Sequence, residues 1–129
     1  MRGDIVYRER AKQLRSFSGL RFGNITPTDI DGLIEYKNKA YAIMETKMDG
    51  VEIPFGQMLA LERMCDDLSK IKPTILIISR HFEPPEIDID MASCEVEKYK
   101  FQKVWKVCEN HTVKSLLDLF FAQVDRTEK

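Results

Sequence analysis

Thr28-Asp29-Ile30-Asp31-Gly32-Leu33-Ile34-Glu35-Tyr36-Lys37-Asn38-Lys39-Ala40-Tyr41-Ala42-Ile43-Met44-Glu45-Thr46-Lys47 is the stretch on which the fold turns. Ile30 to Tyr36 alternates and is β-branched in part, Ala40 to Thr46 is nearly all apolar, and Lys37-Asn38-Lys39 stands between them as a turn. The pattern predicts a β-hairpin whose second strand is buried on both faces. A three-residue loop pairs position 36 with 40, and the same register sets 31 opposite 45. Residues two apart on a strand share a face, so Glu45 and Lys47 project together, as do Asp29 and Asp31. A directly opposed pair has its Cβ atoms about 4.5–5.5 Å apart.

Two carboxylates and an amine thus converge on one small patch. Like charges about 4 Å apart repel by roughly 4 kcal/mol at an effective dielectric near 20. Lys47 compensates one carboxylate but not both plus Asp29, so an oxygen-rich cluster remains that suits Mg2+ or Mn2+, hard ions that take carboxylate, carbonyl and water ligands. A second acid-x-Lys, Glu35-Tyr36-Lys37, runs into the turn. Glu45-Thr46-Lys47 instead ends a buried apolar strand, where unpaired charge is expensive.

Outward from the hairpin, Asp49-Gly50 and Pro54 mark a connecting loop. Phe55, Met58, Leu59, Cys65 and Leu68 then recur at helical spacing, with Glu62 as the exception. Lys72-Pro73 ends that helix, and Thr74 to Ser79 reads as a short, fully buried strand, so strand, crossover helix and strand form a parallel pair. Residues 4 to 17 suit a first helix with a basic outer face. His81 to Ser93, with Pro84-Pro85 and four acids, is an irregular excursion. Glu95 to Val107 is expected as one half-exposed strand, with Tyr99, Phe101, Trp105 and Val107 on one side and a solvated face of Lys98, Lys100, Gln102 and Lys106 on the other. Val113, Leu116, Leu117, Phe120, Phe121 and Val124 predict a final amphipathic helix capped near Asn110 or Thr112. These elements make an α/β protein, a mixed sheet flanked by helices.

The 129 residues support one domain, 1–129, and 20 basic against 21 acidic side chains give a net charge of −1. Affinity for a polyanion must then come from a local basic face. The longest apolar runs fall far below the roughly 20 residues that cross a bilayer, so no membrane partner is expected. Three cysteines without a Cys-x-x-Cys pair, and a charged start at Met1-Arg2-Gly3-Asp4 without a hydrophobic signal region, fit a cytoplasmic protein. Phosphate-binding loops, dinucleotide fingerprints and nucleophile elbows are absent from the sequence.

Thr28-Asp29-Ile30-Asp31-Gly32-Leu33-Ile34 followed by Ala42-Ile43-Met44-Glu45-Thr46-Lys47, 14 residues separating Asp31 from Glu45, resembles the PD-(D/E)xK nuclease superfamily of restriction enzymes and Holliday-junction resolvases. The likeness spans roughly residues 5 to 80. It implies a restriction-endonuclease-like core of order αβββαβ, here extended by a C-terminal strand and helix. It further implies metal-dependent hydrolysis of DNA phosphodiester bonds, leaving a 3′-hydroxyl and a 5′-phosphate, at a site where Asp31 and Glu45 hold Mg2+ or Mn2+ and Lys47 completes the cluster. Glu9 and Thr46 are the further metal candidates, and Gln57 the catalytic candidate on the helix after the second motif. Thr28 stands where a Pro often precedes the Asp, and Asp29 and Asp31 both offer themselves for one role. DNA is the expected partner; a homodimer is the simplest way to cut both strands, with the Phe120-Phe121 helix as its expected interface. The competing expectation is a catalytically inactive module of the same fold that binds nucleic acid or a protein.

Overall fold

The computed structural model describes residues 16–127, so all but the end of the expected first helix, Glu9 included, lies outside the described residues. Five strands and two helices follow in the order β1 (Gly32–Tyr36), β2 (Ala40–Met48), α1 (Phe55–Ser69), β3 (Thr74–His81), β4 (Glu95–Phe101), β5 (Val104–Val107) and α2 (Val113–Thr127), with a short 3-10 turn at Met91–Ser93. The strands form one mixed sheet in sequence order, β2 and β3 parallel and every other neighbouring pair antiparallel. The chain is an α/β protein.

The hairpin keeps the register its sequence dictates, Tyr36 opposite Ala40 and Gly32 opposite Met44. Lys37 and Asn38 close it with φ of 53° and 61°, and the Lys39 N–H donates to the Tyr36 carbonyl at 2.7 Å. At Gly32 the two strands approach closely: a Cβ there would lie 2.9 Å from Cε of Met44, so a larger residue would make the methionine side chain shift.

Alternation along the central strands sends side chains to two cores. Ala42, Met44, Ile75 and Ile77 face α2 and its Leu116, Leu117 and Phe120, whereas Ile43, Leu76 and Ile78 face α1 through Leu61 and Cys65. Both faces of β2 and β3 are therefore buried, which is why these strands read as continuous apolar runs. Thr112 and Ser115 start α2 with a reciprocal cap: the Ser115 N–H donates to Thr112 Oγ1 at 3.1 Å and the Thr112 N–H to Ser115 Oγ at 3.0 Å.

Four expectations are corrected. Among the described residues two strands precede α1, not three; the segment before β1 contributes an isolated bridge between Phe22 and Ile25. Residues 95 to 107 form a hairpin instead of one strand, because Gln102 and Lys103 adopt φ of 53° and 66° and reverse the chain. Lys100 is not on a solvated face: it is 6% exposed, beside Trp105, under α1. Phe121 is not left over for a second subunit, since its ring stacks on Tyr36 at 4.1 Å while Phe120 packs edge-on against Phe101 at 5.7 Å.

Candidate active site

β1 and β2 splay just beyond the Gly32–Met44 pair, and there Asp31 meets Glu45. The backbone N–H of Asp31 donates to Glu45 Oε1 at 3.3 Å, and Asp31 Oδ2 accepts from the Thr46 N–H at 2.9 Å. Each acid is thus fixed by the main chain of the other's strand. Gln57, in the first turn of α1, donates from Nε2 to Glu45 Oε2 at 2.5 Å and reaches the Asp29 carbonyl at 3.5 Å. The sequence places Gln57 there because Pro54 stops β-structure and lies at the start of the helix.

The environment of the two carboxylates differs. Asp31 is exposed, whereas Glu45 is 6% exposed on the α1 face of the sheet. Burial first, and then the negative charge of Asp31, push the Glu45 carboxyl above the ordinary glutamate value; the hydrogen bonds from Asp31 N–H and Gln57 pull the other way, and Asp29 adds to the rise. The pair opens into a cleft of about 730 Å3 walled by residues 24–29 on one side and by Gly56, Gln57, Ala60 and Arg63 of α1 on the other.

Lys47 shares the Glu45 face of β2 but its ammonium lies in a neighbouring cavity with Val51, Phe55 and Lys98. There it pairs with Glu97 Oε1 at 2.9 Å, and Arg80 approaches the same oxygen at 3.7 Å. A β-bulge explains the partner: Ile78 pairs with Lys98 and Ser79 with Val96, so Glu97 is an extra residue and is turned to the α1 face. Nothing in the sequence marks that bulge, and Glu97 was not among the expected site residues. Phe55, expected on the apolar face of α1, is instead 82% exposed at the edge of the Lys47 cavity.

Of the expected residues, the structure brings together Asp31, Glu45, Gln57 and the backbone of Thr46, and it places Lys47 next door. Asp29 reaches the cluster through its carbonyl, although its side chain also lines the cleft. The Thr46 side chain points to the opposite face, where its hydroxyl is buried without a hydrogen-bond partner. Its main chain is the part that faces Asp31, and in a strand the N–H and C=O of one residue point to the same side. Among the described residues no group of three or more His, Cys, Asp or Glu side chains could hold a metal ion. Two carboxylates with open cleft beside them still match Mg2+, which keeps several waters and commonly takes one or two protein carboxylates. No helix among the described residues is long and apolar enough to cross a membrane. Compared with protein-family models, with curated proteins and with solved structures, the chain finds no match.

Proposed function

We propose that the protein is a metal-dependent deoxyribonuclease with a restriction-endonuclease-like core, cutting DNA phosphodiester bonds internally at the Asp31–Glu45 pair. The observation that carries this reading is the buried Glu45, held against Asp31 by main-chain hydrogen bonds at the mouth of an open cleft, with no cation paired to either side chain among the described residues. A fold optimised for stability alone does not keep two like charges together beside an open cleft. The hairpin, crossover helix and parallel strand match the ββαβ part of the order expected of such a core.

Asp31 and Glu45 would hold Mg2+ or Mn2+, with the Thr46 carbonyl directed to the same side. When bound, such an ion polarises a phosphoryl oxygen and lowers the pKa of an attached water. The residues of the chain prepare for that task. Thr46 N–H orients Asp31, and Gln57 orients Glu45. Lys47 stands two residues from Glu45 and would donate to the phosphate on exchanging its Glu97 partner for it.

Purified protein incubated with single-stranded, duplex and branched DNA in Mg2+ or Mn2+ is expected to cleave at least one substrate, and Glu45→Gln or Asp31→Asn to reduce the rate by about 100-fold or more. A folded wild-type protein that cuts none of them rejects the proposal.

The Lys47–Glu97 ion pair favours a second reading, an inactive module of the same fold that binds nucleic acid or a protein. Calorimetry separates the two: heat on adding Mg2+ that is lost in Asp31→Ala belongs to the nuclease, whereas DNA binding without metal heat belongs to the module.

A further inference from the structure

We propose that Arg63 grips a DNA backbone phosphate next to the scissile one and so seats the strand in the Asp31–Glu45 cleft, an inference that rests on the nuclease reading above. Arg63 is exposed, and among the described residues lining the cleft it is the single cation. Among the described residues it has no ion-pair or hydrogen-bond partner, although Asp29, Asp31 and Glu45 line the same cleft. Three cations on the sheet, by contrast, are paired with carboxylates. Lys47 pairs with Glu97, Arg80 with Glu95 and Lys100 with Asp66. Arg63 has acids within its cleft and pairs with none of them.

Its position on α1 fits a neighbouring phosphate. Gly56, Ala60 and Arg63 recur at i, i+4 and i+7 and so share one flank of the helix, with two small residues keeping the wall low between the Gln57 end and the guanidinium. Arg63 lies six residues beyond Gln57, about 9 Å along the axis at 1.5 Å per residue. Helical side chains lean toward the N-terminus, which carries the guanidinium back toward the carboxylates. A polyanion entering a cleft with three acids, on a chain whose net charge is −1, needs a local cation to offset the repulsion. A guanidinium supplies that charge and two parallel hydrogen bonds to phosphate oxygens.

The test measures binding of fluorescein-labelled single-stranded and duplex DNA oligonucleotides by anisotropy over a range of KCl concentrations, beside cleavage kinetics, for wild type, Arg63→Ala, Arg63→Lys and Arg63→Glu. Lys114→Ala on α2, on the opposite face of the sheet, is the control. Arg63→Ala is expected to bind about tenfold more weakly, to raise KM with kcat within about twofold, and to lower the slope of log K against log salt by about 0.7 on single strands and about 0.9 on duplex. Arg63→Lys restores the slope with part of the affinity, Arg63→Glu deepens the loss, and Lys114→Ala matches wild type. Wild-type affinity and salt slope in Arg63→Ala, with cleavage by the wild type intact, overturn this inference and leave the nuclease standing. A wild type that neither binds nor cuts removes both.

Discussion

Helix α1 covers two polar clusters on one face of the sheet, and they are built on opposite plans. At its N-terminal end Glu45 and Asp31 meet with neutral donors, Gln57 and main-chain N–H groups, and among the described residues without a cation. Farther along, Lys100 lies under Glu62 and Asp66, at 3.4 and 3.0 Å, while Trp105 Nε1 donates to Glu62 Oε1 at 3.4 Å. Burial works against the charge on Lys100, but its hydrogen bonds and attraction to Asp66, and then to Glu62, outweigh it and hold the ammonium above the ordinary lysine value. Next to that cluster, burial and then the Asp66 charge push the Cys65 thiol up to about 11, which leaves it an inert core residue at neutral pH. One cluster is compensated and structural; the other, among the described residues, has no cation beside its carboxylates, the arrangement expected of the proposed site.

Breaking the compensated cluster has the largest expected effect. Loss of one partner of a buried ion pair costs about 3–5 kcal/mol, and since Glu62 and Asp66 remain about 30% exposed, water reaches them and Lys100→Met should cost about 2–3 kcal/mol in urea melts. Adding Glu62→Gln and Asp66→Asn to Lys100→Met should recover most of that loss. Because the pKa of Lys100 is raised in the fold, its contribution is full below 10.5 and is lost only as pH rises through the higher folded value. Melts across the neutral range should therefore show no step from this residue, and a large one there would contradict the assignment.

The uncompensated cluster should respond in the opposite sense, to a ligand that neutralises it. Mg2+ at ten times its dissociation constant stabilises a protein that binds it only when folded by about 1.4 kcal/mol. Thermal melts should show that gain for wild type and not for Glu45→Gln, and an equal gain in both would place the ion elsewhere. Without divalent ions, Glu45→Gln should itself stabilise the protein by about 0.5–1.5 kcal/mol at pH 7, at the expense of cleavage. The sign follows from the raised pKa: the neutral carboxyl is the form the fold favours, so stability from Glu45 is full below 4.5 and is lost as pH rises through its folded value. The variant and the wild type should converge in acid and separate toward neutral pH.

The sequence exposed one of these clusters and concealed the other for physical reasons. Asp31, Glu45 and Lys47 lie close to the hairpin, and a single register relation places them, so strand periodicity was enough to bring the acids together. The compensated cluster joins residues 62, 66, 100 and 105 across three elements, and strand alternation assigned Lys100 to the solvent. Glu62 was visible as a polar intruder on an apolar helix face; its reason, a lysine and an indole beneath it, lies 38 and 43 residues away. The destination of Lys47 was hidden for a related cause, since the bulge at Glu97 reverses the alternation of β4 and no residue type announces it. Lys37-Asn38 contains an Asn that tolerates positive φ, so the first turn was legible.

The second turn was not, and it offers the smallest and most selective perturbation. Gln102 and Lys103 both hold positive φ with side chains that resist it, a strain on the order of 1 kcal/mol. Asn and Gly adopt this geometry readily, so replacing the pair by Asn-Gly should stabilise the protein by about 0.5–1 kcal/mol. This turn closes the hairpin in which Lys100 stands opposite Trp105, so the gain falls on the compensated cluster. Hydrogen exchange should slow in β4 and β5 while Mg2+ binding and cleavage at Glu45 stay unchanged. Altered cleavage in this variant would mean that the two clusters under α1 are energetically coupled, and that the helix transmits what happens at one end to the other.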